Sequence, residues 1–141
     1  MTHTTFDINT DIATLIMAIS DSVVHFDTSN VFGDELPVSP DNCISVEDNK
    51  GLSPIYTFST GHAKIYQPSF QIVFRHLSKE TMHRWVELVR DALDGKVSTI
   101  INGHFYFNIS QVGDVFDLGR DNNRRHESML NFTTMVDPWY T

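Results

Sequence analysis

Near the N-terminus, apolar side chains fall at Ile8, Ile12, Leu15, Ile16 and Ile19, a spacing that puts them on one face of a helix. Asp7 stands where a capping carboxylate belongs, and Asp11 lies in the early turns, where negative charge suits the helix dipole. The pattern predicts a helix ending near Asp21 and Ser22, then a short strand over residues 23–26. Residues 27–40 read as a loop, punctuated by Gly33, Pro37 and Pro40 and made acidic by Asp34 and Glu35. Residues 43–46 are β-prone, Asp48-Asn49-Lys50-Gly51 signals a turn, and residues 52–60 offer another strand.

Alternation is cleanest over residues 69–76, where Phe70, Ile72 and Phe74 point one way and Gln71, Val73 and Arg75 the other. Ser78 then reads as the N-cap of a second helix. Its buried stripe is Met82, Trp85, Val86, Val89 and Leu93, with a Glu80–Arg84 pair at i, i+4 and Gly95 as its left-handed end. Asn102-Gly103 between two β-prone runs marks a hairpin, because both turn residues need positive φ. Residues 112–125 are polar and glycine-containing and read as a long loop; residues 128–136 alternate as a final strand, followed by a short tail. This order predicts an α+β fold: a mostly antiparallel or mixed sheet, two main helices packed on one face, and the hairpin around Asn102-Gly103. One domain over residues 1–141 is expected, with short flexible termini at about 1–6 and 137–141.

Composition supports a packed core: 40% of residues are hydrophobic and ten are phenylalanine. The net charge of −8 disfavours a protein that grips nucleic acid by its phosphates. Cys43 is the only cysteine, so no disulfide closes within the chain, and no charged-then-apolar leader or membrane-length apolar run is evident. Synthesis in a reducing cytoplasm is the expectation, and the glycosylation-type triplets at Asn108 and Asn131 then carry no meaning.

A search for chemistry finds little. The seven histidines are scattered singly, with no metal-ligand spacing, so no metal is expected. Neither a nucleophile elbow nor a glycine-rich phosphate loop precedes either helix, so no catalytic residue and no cofactor is expected. Asp34, Glu35 and Asp41 crowd one loop, which fits a solvated acidic segment better than a glycosidase-like pair. Arg120, Arg124 and Arg125, with Asp121 among them, make either a solvated loop with local ion pairs or a contact between subunits. Trp139 and Tyr140 either fold back on the domain or dock on a neighbour.

Four stretches, in order, resemble one family. They are Val31-Phe32-Gly33-Asp34-Glu35-Leu36-Pro37 with Pro40-Asp41-Asn42; Pro68-Ser69-Phe70-Gln71 through Arg75; Ala92-Leu93-Asp94-Gly95; and Leu118-Gly119-Arg120-Asp121 through Asn131-Phe132. They resemble the G-x-x-P, P-D-N, P-S-x-Q-x-x-x-R, A-L-x-G and G-R-D segments of phage tail-terminator and minor capsid proteins. The Phe105-Tyr106-Phe107 run stands outside these motifs.

The resemblance implies a non-catalytic subunit of a six-fold ring on the finished tail tube. Such a ring stops polymerisation, joins tail to head, and lets DNA pass without binding it specifically. Implied partners are further copies of the chain, the tube protein and a head-completion or connector protein, with no membrane. The implied location is the head-proximal end of the tail, reached from the host cytoplasm. Asp34, Glu35, Phe105, Phe107, Arg120, Asp121, Arg124, Arg125, Trp139 and Tyr140 are the candidate contact residues. The alternatives are another connector or minor capsid protein, a monomeric protein-binding adaptor, or a small hydrolase with an unrecognised site.

Overall fold

The computed structural model describes residues 6–56 and 64–138. Asp7 caps the first helix, α1 (Ile8–Met17), accepting from the Asn9 amide at 3.1 Å and the Thr10 hydroxyl at 2.8 Å. The helix stops at Met17 with Ala18 as its C-cap, short of Asp21; beyond it Asp21 accepts from the Val23 and Val24 amides at 3.1 and 2.9 Å. No strand forms over residues 23–26; Val24 and Phe26 enter the core from an irregular segment. The second helix, α2 (Lys79–Leu93), is capped by Ser78, which accepts from the Thr81 amide at 3.3 Å. The salt bridge of Arg84 runs to Asp21, at 3.0 Å. At the far end Gly95 takes φ +81°, the left-handed geometry that glycine adopts without penalty.

Among the described residues, six strands form one curled mixed sheet: β1 (Val31–Phe32), β2 (Cys43–Tyr56), β3 (Lys64–His76), β4 (Lys96–Ile101), β5 (His104–Arg120) and β6 (His126–Asp137). Their order across the sheet is β1-β2-β3-β6-β5-β4. Only β1 and β2 run parallel; the other neighbours are antiparallel. The β4–β5 hairpin turns at Asn102 (φ +51°) and Gly103 (φ +81°), the pair of positive angles such a turn demands.

Two expected breaks in the sheet are strand instead. The chain runs on through Asp48-Asn49-Lys50-Gly51 as part of β2, paired with β3, with register shifts between Asn49 and Leu52 and again between Leu52 and Ile55. Gly51 serves there as a point of close approach, since a Cβ would sit 2.3 Å from the Gln67 carbonyl oxygen. The supposed loop over residues 112–125 is mostly β5, whose register with β6 shifts between Val112 and Phe116 and again between Asp117 and Gly119. Gly113 (φ +71°) and Gly119 (φ +82°) mark these bulges, so glycines that read as turns bend a strand. Only residues 121–125 turn the chain back into β6.

The core joins Ile8, Ile12 and Ile16 of α1 and Met82, Trp85, Val86, Val89 and Leu93 of α2 to the inward rows of the sheet, chiefly Ile44, Val46, Phe70, Ile72, Phe74, Leu130 and Phe132. Phe70 and Phe132, directly paired between β3 and β6, stack with centroids 5.1 Å apart. Each such large side chain contributes roughly 1.5–3 kcal/mol by leaving water.

Candidate functional site

The outward row of β3 carries a buried arginine. Arg75 is 3% exposed because residues 37–41 fold over it. Its Nη2 donates to the carbonyls of Pro37 (2.5 Å) and Pro40 (2.7 Å), and its Nε to that of Asp41 (3.2 Å). Arg125 grips the same segment from the other side, donating from Nη1 to the Val38 carbonyl at 2.7 Å and reaching the Asp41 carboxylate at 3.4 Å. Its Nε donates to Asp121 at 2.7 Å, and the other Asp121 oxygen accepts from the Asn123 and Arg125 amides. Partial burial pushes the Asp121 carboxyl up, but these hydrogen bonds and the Arg125 charge outweigh it and hold the group below its usual range. The two guanidiniums therefore explain the Pro-Asp-Asn segment, the strand arginine and the Gly-Arg-Asp turn as one clamp. Beneath it lies Cys43, paired with Arg75 across β2 and β3 and fully buried. Burial pushes its thiol up, which keeps it protonated and inert.

Arg125 is thus committed within its own chain, whereas Arg120 and Arg124 are exposed and neither guanidinium has a hydrogen bond or ion pair among the described residues. Asp34 and Glu35 sit on the opposite side of the sheet, just after β1. With Asn9, Glu47 and Asp48 they line an open hollow of about 520 Å³. Asn9 is 8% exposed, donates from Nδ2 to the Gly33 carbonyl at 3.3 Å, and leaves its buried Oδ1 without a partner. Glu47 accepts from Gln71 at 2.6 Å. The strand order puts this acidic hollow at the β1–β2 edge and Arg120 at the β5 edge, so the fold keeps the two charge groups apart within one chain. Phe105 and Phe107 pack edge to face at 4.9 Å on β5, with Phe107 38% exposed. Trp139 and Tyr140 lie outside the described residues.

A buried polar cluster escaped the sequence reading. Asp11, on the inner face of α1, accepts from the Tyr106 hydroxyl at 2.6 Å and from His104 Nδ1 at 2.8 Å with one oxygen, and from Asn102 Nδ2 at 2.9 Å with the other. Burial, then the Asp11 carboxylate, push the Tyr106 phenol far up. Asp11, His104 and Tyr106 are each at most 2% exposed, so the cluster fastens the hairpin to α1 and offers nothing to a substrate. The only hint in the sequence was a carboxylate on the apolar side of the first helix.

Among the described residues, no group of His, Cys, Asp and Glu side chains is arranged to hold a metal ion, and no helix is long and apolar enough to cross a membrane. What the surface offers is complementary charge on opposite sheet edges and an exposed apolar strand between Val112 and Arg120, which includes Phe116 at 60% exposure. That is the equipment of an assembling subunit.

Comparison with known proteins agrees with that class. A family model for bacteriophage tail terminator proteins matches residues 6–138, and the chain belongs to that family. It is a structural protein of phage tails. Among solved structures of similar fold is a chain from the virion of a native gene transfer agent particle. It is 14% identical, with 92% of this chain and 94% of that one covered and a TM-score of 0.58. No curated protein sequence matches the chain.

Proposed function

We propose that copies of this chain close into a six-membered ring on the end of the tail tube, stop its polymerisation, and present the surface on which the head is joined. The carrying observation is the separation of unpaired Arg120, on β5, from the Asp34, Glu35, Glu47 and Asp48 hollow at the β1–β2 edge of the same sheet, with exposed Arg124 in the turn that follows β5. Complementary groups on opposite edges cannot satisfy each other within a chain, but they satisfy each other between successive copies. Such heterologous contacts form a closed ring when the rotation between copies completes a circle. Six repeats of a modest ion-pair energy are enough to bias assembly. Phe105 and Phe107 lie at the other end of β5 from Arg120, and we assign them, with Trp139 and Tyr140, to a separate contact with a neighbour or with the tube protein. The net charge of −8 suits a conduit that repels passing DNA, and no catalytic step is assigned.

Electron microscopy of the purified protein, with and without tail tubes, tests this reading. The wild-type chain is expected to give rings capping tubes at one end. Arg120→Glu with Arg124→Glu is expected to leave the monomer folded and its stability within about 0.5 kcal/mol, as for exposed sites, while abolishing caps. Normal caps from this double variant at physiological salt would remove the arginines from the interface.

A further inference from the structure

Both edges of the sheet are only half covered. β1 lies against β2 at Ile44 and Ser45 alone, and β4 lies against β5 only from Ile109 back to His104. Beyond those points, the outer edges of β2 from Glu47 onward and of β5 from residue 110 to Arg120 have no strand beside them among the described residues. Open edges present backbone groups that readily take another strand; on β5 the amides of Gln111, Val115 and Gly119 are held by the Asp94, Asp114 and Asp117 carboxylates, which a pairing strand would displace or leave in place beside the remaining groups. Here both also carry exposed apolar side chains: Phe116 and Leu118 on β5, Leu52 and Ile55 on β2.

We infer that the β5 edge of one copy pairs antiparallel with the β2 edge of the next, in a register that sets Phe116 against Leu52 and Arg120 against Asp48. Three observations fix this choice, which rests on the ring reading above. First, the faces agree. Phe116 pairs with Met129 on the side of the sheet away from the helices, and Leu52 lines a hollow on that side with Ser69, Asn131 and Thr133. Arg120 pairs with His126 on the helix side, and Asp48 pairs there with the core residue Phe70.

Second, the spacing agrees. Between Phe116 and Arg120, β5 has a bulge where Asp117 and Gly119 face successive residues Ser128 and Glu127. Between Asp48 and Leu52, β2 has a bulge where Asn49 and Leu52 face Ser69 and Gln67. Each strand therefore switches faces once over the same length, and the two irregularities match. Third, the charges agree. The register delivers the unpaired Arg120 guanidinium, with its fork of donors, to the acidic hollow that also holds the unpartnered Asn9 Oδ1.

A second copy is the occupant because one chain carries both complementary halves on opposite edges, so each contact leaves a matching edge free for the next. Antiparallel neighbours directly opposite each other hold their Cβ atoms about 4.5–5.5 Å apart, close enough for a disulfide after small adjustment. The test mixes two single variants, Phe116→Cys and Leu52→Cys, and oxidises them mildly; buried Cys43 stays silent. A covalent dimer is expected in the mixture and in neither variant alone. A dimer from one variant alone would mean that like edges pair, and would overturn the inference. Rings visible by microscopy without a linked dimer would overturn the edge pairing and leave the ring reading standing. A linked dimer without closed rings on tail tubes would uphold the edge contact and overturn the ring. Neither linkage nor rings would overturn both.

Discussion

Replacing Arg75 by methionine isolates what the arginine clamp contributes. The substitution keeps the length and apolar stem of the side chain but deletes donors to the Pro37, Pro40 and Asp41 carbonyls, at 2.5, 2.7 and 3.2 Å. A hydrogen bond to a charged group is worth roughly 1.5–3 kcal/mol net. The three are not additive, because the freed carbonyls can turn to water as the segment lifts. A loss of about 3 kcal/mol is the resulting expectation, with a denaturant midpoint lowered at unchanged slope. Cys43 supplies an independent readout, since it is the sole cysteine, fully buried, and directly paired with Arg75. If lifting of residues 37–41 becomes easier by about 3 kcal/mol, a thiol reagent under native conditions should label Cys43 on the order of 100-fold faster. Labelling accelerated less than about threefold, with an unchanged midpoint, would refute the clamp.

Two further expectations concern the core and the buried cluster. Trp85, packed edge-on against His76 at 4.8 Å and Phe26 at 5.4 Å, should cost about 3–5 kcal/mol when changed to alanine, read as a lowered thermal midpoint. Tyr106→Phe should cost about 1.5–3 kcal/mol by removing the 2.6 Å bond to the Asp11 carboxylate. The folded phenol is held protonated above its ordinary value of 10.0 while the unfolded one ionises there, so its contribution is complete below pH 10 and lost as pH rises beyond it. Stability measured across that range should fall less steeply in Tyr106→Phe than in the wild type.

The elements legible in the sequence were those whose local chemistry and tertiary role coincide. Ser78, the Met82–Leu93 stripe and Gly95 mark the start, buried face and end of α2, and Asn102-Gly103 marks the hairpin. The misread stretches were those where pairing overrode local preference. Asp48-Asn49-Lys50-Gly51 is a turn in isolation, yet β3 holds it extended; Gly113 and Gly119 read as loop residues, yet β6 templates a strand through them. A two-residue strand such as β1 has no periodicity to detect. For the site, charge was legible but its commitments were not. Arg125 differs from Arg124 by one position and by a complete change of surroundings, and Arg75 looked like an ordinary outward residue until residues 37–41 closed over it.

Sealing Cys43 under that segment has a consequence for the finished assembly. Its sulfur is closed off from solvent, and the chain has no other cysteine to exchange with. Sulfenic acid formation and intermolecular cross-linking both need an accessible thiolate. The thiol is therefore expected to stay the same in air as in a reducing cell, and no disulfide is expected to tie this chain to another.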